Sequence, residues 1–409
     1  MRSAFQKQCL QHFLLRAVFG TEIADIEGHK MQGTNENYDV AVIGAGIAGA
    51  SAAAELAAKG LRVAVIEQES QAGYHTTGRS AAIYSPVYGP APIRALTRAS
   101  FSFFTAPPDG FAVHPLLSPI NAAFIARADQ LDHLSNLEQD LAQAEGIARI
   151  DANSLQERIP LLRSGYASAG LWDTGTSNID VAALHQGYLR QFKALGGMLI
   201  TRARLTTLTH TARGWTLQTS QGDVHAEKVV NAAGAWADQI GQIAGAEKIG
   251  LIPKRRTALI VDAPQGTQID ALPIVIDVQE QFYLKPEGGK LLISPANEDP
   301  ENPCDVQPDE MDIALCIDRI ERAFDLSVRR VESSWAGLRS FVADKCPVAG
   351  FSGTAENFYW LAGQGGYGIQ SAPALAKLVA ADVTGQQIPA HILQEGLDPD
   401  ALRPTRASL

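Results

Sequence analysis

The sequence predicts an α/β chain, α+β overall, in which a parallel strand–helix–strand unit is interleaved with a second unit built on an antiparallel sheet. Three observations carry this. An apolar run, a glycine turn and an Ala-rich stretch follow one another between residues 38 and 67. The pattern of strand, small-residue turn and helix recurs at 228–244 and again at 358–384. Between these units lie short runs of alternating polar and apolar residues separated by Gly and polar turns, which read as antiparallel strands.

In the first unit, Val40, Ala41, Val42 and Ile43 suit a strand buried on both faces. Gly44-Ala45-Gly46-Ile47-Ala48-Gly49 then turns the chain and lets the backbone approach a pyrophosphate. Ala48 to Lys59 is rich in Ala and Leu and propagates a helix whose N-terminus faces the phosphates. Arg62 to Ile66 is a second strand, and Glu67 at its end can accept hydrogen bonds from ribose hydroxyls. A glycine-rich turn without a ligand is the rival reading; the strand before, the helix after and the acid beyond favour a Rossmann-like dinucleotide site. The stretch alone leaves NAD and FAD open.

The chain has 409 residues and a net charge of −10, which disfavours a nucleic-acid partner, because phosphate neutralisation needs clustered Lys and Arg. No apolar run approaches membrane-spanning length. Cys9, Cys304, Cys316 and Cys346 share no metal-ligand spacing, so no metal site is expected, and they read as reduced thiols of a cytosolic protein. Peripheral attachment to the inner membrane stays open. Residues 1–37 form an N-terminal extension with an apolar stretch broken by Arg16; a start at Met31, with little packing of 1–30, is the expectation.

After Glu67, the segment 73–82 is a Gly/Thr/Ser-rich loop. Its Thr77, Arg79 and Ser80 can bond phosphate or flavin edge atoms, or serve as turn and capping residues. Ser85 to Pro92 holds three prolines and a glycine and reads as a structured loop that covers a site. Ile93 to Phe104 is helical. His114 to Ala126 and Ala167 to Trp172 read as strands, and Gln130 to Glu145 as a helix. Asp180 to Leu195 is helical, Met198 to Thr201 a strand, and Arg204–Thr209, Gly214–Ser220 and Asp223–Glu227 a meander. Lys228 to Asn231 is a strand, whose Ala232-Ala233-Gly234 turn allows close approach to a ligand or tight helix–sheet packing. Lys254–Asp262, Pro273–Asp277, Gln281–Lys285 and Lys290–Ser294 are strands, and Asp309–Ala323 a helix. Finally Phe358–Ala362 runs into Gly363-Gln364-Gly365-Gly366-Tyr367-Gly368-Ile369-Gln370 and a helix from about Ser371 to Thr384. The dinucleotide unit is thus expected at 38–106, 178–248 and 332–400, and the second unit at 107–177 and 249–331.

With these three units in place, the chain resembles the flavin amine oxidoreductases of the D-amino acid oxidase type, with a closer likeness to bacterial FAD-dependent D-arginine dehydrogenase. The residues that carry it are 73–82, 114–119, 253–256, Phe282-Tyr283-Leu284-Lys285-Pro286, 335–344 and 364–370. The resemblance implies non-covalent FAD, held by Gly44, Gly46, Ile47, Ala48, Gly49, Glu67, Thr77, Arg79, Ser80, Ala233, Gly234, Gly365, Gly368, Ile369 and Gln370. It implies that Arg256 and Arg339 bind the carboxylate of an amino acid, that Tyr88 and Tyr283 assist, and that Gly366 lends its carbonyl to the amine. Ser85 and Tyr88 would lie in the loop over the pocket, and Ala81, Ile83, Ala122, Ile274 and Ile276 around the substrate side chain. Two positions depart from the arginine enzyme: Ala122 stands for its acidic residue and Ile83 for its pocket histidine. Both changes point to neutral side chains.

Residue chemistry agrees with those roles. Arginines hold carboxylates through paired charge-assisted bonds. Arg339, between Leu338 and Phe341, needs an anion if it faces inward; Arg256 has the rival reading of a solvated charge beside Lys254 and Arg255. No dedicated base stands out, and His75 and His114 read as structural. The expected reaction is oxidative deamination of D-amino acids, with oxygen or a quinone as electron acceptor. Rival readings are oxidation of glycine, a secondary amine or a 2-hydroxy acid, an NAD-dependent dehydrogenase, and a flavoprotein kept as a binding subunit.

Overall fold

In the computed structural model, which describes residues 37–409, the dinucleotide motif opens a mixed sheet. Asn37–Ile43 pairs in parallel with Val63–Ile66 on one side and Gly222–Asn231 on the other. Met198–Ile200 extends one edge in parallel. Gly214–Thr219 and Leu205–Thr211 extend the other as an antiparallel hairpin, and Phe358–Ala362 adds a further parallel partner to the end of Gly222–Asn231. Val40, Val42, Val63 and Val65 have essentially no exposed surface, as expected of strands covered on both faces. The helix Ile47–Ala58 packs between the helices Gly368–Thr384 and Val181–Ala194. Gly49 makes its close approach possible: a Cβ there would stand 1.9 Å from the carbonyl oxygen of Gly44.

A second sheet has nine strands among the described residues and is largely antiparallel. Ile252–Val261 lies between Val331–Phe341 and Lys290–Ser294. Tyr283–Glu287, Ile274–Asp277, Ala122–Ala126, Ala169–Asp173 and Ile147–Asp151 follow in order. One face of this sheet buries Val275, Leu284, Ile293 and Leu259 together with Cys316 and Ile320 of the helix Glu310–Ala323. Asp309 caps that helix through the Met311 N–H. The other face looks toward the dinucleotide turn.

Several expectations are corrected. Asp223–Glu227 and Lys228–Asn231 form one strand, Gly222–Asn231, whose partner changes midway from the hairpin to Phe358–Ala362. The polar alternation of its first half and the apolar second half made it read as two. His114–Ala126 divides into Leu117–Pro119 and Ala122–Ala126, because the chain passes from a small three-stranded sheet to the nine-stranded one. The last long helix starts at Gly368, before Ser371. Ile147–Asp151 and the helix Ala152–Arg158 were not foreseen. Val331–Phe341 pairs along its whole length with Ile252–Val261, so the boundary placed at 332 cuts through a strand of the second sheet. The expectation for the N-terminal extension lies outside the described residues. No helix among the described residues is long and apolar enough to cross a membrane.

Candidate active site

One cavity of about 360 Å³ runs from the dinucleotide turn to the face of the nine-stranded sheet. At one end it is lined by Gly44, Gly46, Ile47, Ala48, Glu67 and Thr77. Gly46 offers no side chain to cap the helix Ile47–Ala58; instead Thr77 Oγ1 accepts the Ile47 N–H at 2.9 Å. The Glu67 carboxylate accepts the Ala45 N–H at 2.8 Å and the Glu69 N–H at 2.9 Å, which fixes the loop to the strand end. His185, buried, donates from Nε2 to the Ala45 carbonyl at 2.9 Å. Burial holds its imidazole below its ordinary pKa, only partly offset by that carbonyl.

Ala233 and Gly234 line the middle of the cavity, together with Trp236, Gln239 and Ile243, which the sequence reading did not single out. His75 also lines it, 2.9 Å from Glu69 and packed on the Trp236 ring. His114 is exposed elsewhere. Arg79 lines the wall, but its guanidinium is taken up by the carbonyls of Val306 and Ala336, at 2.9 and 3.0 Å, and by Asp305. It ties the 73–82 loop to the second sheet. Ser80 and Ala81 line the same wall.

The far end is formed by Arg256, Tyr283, Arg339, Ser340 and the turn Gly363 to Ile369. The helix Gly368–Thr384 starts here, so two helix N-termini with their partial positive charge face one cavity. Lys254 and Arg339 are direct cross-strand partners, and Arg256 lies opposite Gly337, so strand alternation puts Lys254, Arg256 and Arg339 on one face. Arg255 points the other way and binds Asp312 and Glu301 at 2.8 and 3.0 Å. Arg256 is buried, and donates from Nε to the Asn297 carbonyl at 2.8 Å and from Nη2 to Glu298 at 3.2 Å. Burial, then the charge of Arg339, pull its pKa down. Arg339 has no carboxylate in ion-pair range among the described residues. Burial opposes its charge, and Tyr88, Tyr283 and Glu280 outweigh that.

The side-chain wall is less direct. Ala122 pairs with Ile274, and Ile276 with Tyr283, so these four share the face that carries Tyr283. Ile83 pairs with Asn178, and Asn178 accepts from Lys285 Nζ at 3.0 Å, which brings the Ile83 strand over the same face. Yet Ile83, Ser85, Tyr88, Ala122, Ile274 and Ile276 do not line the cavity that Arg256, Arg339 and Tyr283 line. In the loop Ser85 to Pro92, the Tyr88 ring packs edge-on to Tyr367 at 5.1 Å. Gly49 and Gln370 stand behind the wall; Gln370 Oε1 accepts the Ser85 N–H at 3.0 Å.

The residues present fit a bound dinucleotide flavin. The cavity begins at a helix start capped only by Thr77 and ends beside buried polar atoms that lack a partner among the described residues, Ser340 Oγ and Gln364 Nε2. Orphaned buried donors of this kind cost stability unless a ligand meets them.

Comparison with known proteins agrees. A family model described as FAD dependent oxidoreductase, DAO, matches residues 39–381. Glycine oxidase of Pseudomonas aeruginosa is 26% identical over 370 residues, covering 85% of this chain and 95% of that protein. Mitochondrial dimethylglycine dehydrogenase of Mus musculus is 25% identical over 391 residues, covering 89% of this chain. This chain spans 44% of that relative's length. Among solved structures, glycine oxidase from Geobacillus kaustophilus superposes with a TM-score of 0.77 at 22% identity, covering 90% of this chain and 99% of its own. These relatives support the family and not D-arginine dehydrogenase in particular.

Proposed function

The chain belongs to the DAO family of FAD-dependent oxidoreductases, and on that premise we propose that it oxidises α-amino acids at the carbon bearing the amine, with D-amino acids of neutral side chain as the preferred class. The observation that carries this reading is Arg339. It is a guanidinium without a carboxylate partner among the described residues, on the wall of the cavity that begins at the dinucleotide turn.

A substrate carboxylate would complete the charge of Arg339 and of the open edge of Arg256. Burial, then the Glu280 charge, push the Tyr88 hydroxyl above its ordinary pKa, so it stays protonated and can donate. Tyr283, on the cavity wall, would donate beside it. The Gly366 carbonyl would accept from the amine, fixing Cα from a second direction. When bound, FAD would supply the two-electron acceptor for oxidation at Cα, and the imino acid so formed would react with water to give a 2-oxo acid and ammonia.

A second reading is oxidation of glycine or an N-alkylated glycine. It is favoured by the full-length match to a protein named glycine oxidase, and the same two arginines would serve it. An anaerobic screen separates the readings. D-leucine, D-methionine, D-arginine, glycine, sarcosine and lactate are mixed in turn with the flavoprotein, and loss of flavin absorbance is followed. Bleaching by neutral D-amino acids supports the first reading, fastest bleaching by sarcosine or glycine the second. Bleaching by lactate alone contradicts both. Peroxide formation on admitting air distinguishes oxygen from a quinone as acceptor.

A further inference from the structure

We infer that Glu298 is a positioning residue for substrate binding: its carboxylate sets the plane of the Arg256 guanidinium and leaves one edge of it for the substrate carboxylate. This rests on the reading of Arg256 given above. Four cations crowd this place. Lys254 and Arg339 stand directly opposite each other across two strands, Arg256 is on the same face, and Lys345 reaches in from the following turn. Like charges opposed on a sheet repel. Glu298 is the carboxylate that answers them: it meets Lys254 at 2.9 Å, Arg256 at 3.2 Å and Lys345 at 3.8 Å. It does not pair with Arg339.

The geometry is directional. Arg256 Nε is fixed by the Asn297 carbonyl and Nη2 by Glu298, and these acceptors are on adjacent residues. Nη1 is left without a hydrogen-bond acceptor among the described residues. The guanidinium therefore cannot swing to another anion without giving up two bonds. Burial works against the Glu298 charge, but Lys254, Lys345 and Arg256 outweigh it, and its carboxyl sits below the ordinary carboxylate range. It stays ionised at neutral pH. The two lysines are themselves held, with both ammonium groups over the Phe341 ring at 5.4 and 5.8 Å.

The test is a double-mutant cycle on the FAD-loaded protein with Glu298→Gln and Arg256→Met. Two quantities are read: the dissociation constant of benzoate, from its perturbation of the bound flavin's absorbance, and KM and kcat for the best amino acid. Glu298→Gln is expected to weaken benzoate and raise KM by on the order of 10- to 100-fold, with a much smaller change in kcat and a normal FAD content. In the Arg256→Met background it should add nothing. Glu298→Asp, which keeps the charge but draws it back by one methylene, should fall between; if the Gln variant does not fold, wild-type benzoate affinity in Glu298→Asp contradicts the proposal. Full additivity with Arg256→Met, or unchanged benzoate affinity in Glu298→Gln, overturns the positioning role alone. Unchanged affinity in Arg256→Met overturns the carboxylate reading itself, and the proposal with it.

Discussion

Gly366 lies against the guanidinium of Arg339: a Cβ added to it would stand 2.8 Å from Nη1 and 3.0 Å from Cζ. The glycine turn and the arginine, which come from different sheets, thus act as one unit, with the turn backbone setting where the charge sits. Gly366→Ala does not strain the backbone, since Gly366 is not among the positive-φ glycines, but it must push the guanidinium aside. KM for the amino acid should rise by about 10-fold or more, with FAD content unchanged. Steady-state kinetics beside a flavin absorbance ratio check this.

Gly46→Val places branched carbons at the mouth of the dinucleotide turn. Even a bare Cβ there would be 3.1 Å from Thr77 Oγ1, which caps the first free N–H of the helix. The variant should fold around its intact strand core yet purify with little FAD. Absorbance at the flavin band relative to protein is the measurement; a full complement of FAD would move the pyrophosphate elsewhere.

Stability should depend on pH through His185. Burial lowers its folded pKa below the ordinary 6.5. Between the folded value and 6.5 the unfolded chain binds more protons than the folded one, so stability rises with pH there and is lost as pH falls below 6.5. Because the charged ring would be buried against the Ala45 turn, acidification should loosen FAD as well. Thermal melts of the holoprotein from pH 7.5 to 5 should show the drop, and His185→Gln, which keeps a donor without titrating, should flatten it.

Much of this was legible in the residues. The Gly44–Gly49 turn, the two flanking strands and Glu67 were readable because each level of pattern agreed. Arg339 was readable because a cation between Leu338 and Phe341 has nowhere apolar to go. What was not legible depends on long-range partners. Arg79 has the right type and place for a phosphate ligand, yet the carbonyls of Val306 and Ala336 and the carboxylate of Asp305, all distant in sequence, use it. Of Lys254-Arg255-Arg256, alternation alone allows either face inward; Asp312 and Glu301 on one side and Glu298 on the other decide it. Trp236 and Gln239 reach the cavity because the helix after the Ala233-Gly234 turn lies along it, which no local period announces.

Side-chain preference turns on which acid can reach the pocket. Asp277 cannot serve: it is fully buried and bound by Gln130 at 3.0 Å and by the N–H groups of Gln279 and Gln281. Glu280, held on a turn at φ 54°, is the acid whose charge is felt by Tyr88, Arg256 and Arg339. With Ala122 and Ile274 on the face beside Tyr283, an apolar side chain gains roughly 0.8 kcal/mol per buried methylene. D-leucine should therefore exceed D-arginine in kcat/KM, and Ala122→Glu should shift preference toward D-arginine. A clear preference for D-arginine in the unmodified protein would assign side-chain recognition to Glu280.

The carboxylate is the centre of the account, and Arg339→Met addresses it most directly. Bound flavin is reduced anaerobically by the most reactive amino acid of the screen and by the amine that lacks its carboxylate, in both proteins. Loss of one partner of a desolvated ion pair costs about 3–5 kcal/mol. The amino acid concentration for half-maximal reduction should thus rise by orders of magnitude in Arg339→Met, while the plain amine reacts equally poorly with both. Reduction of Arg339→Met at the wild-type amino acid concentration, with normal FAD content, would contradict the account.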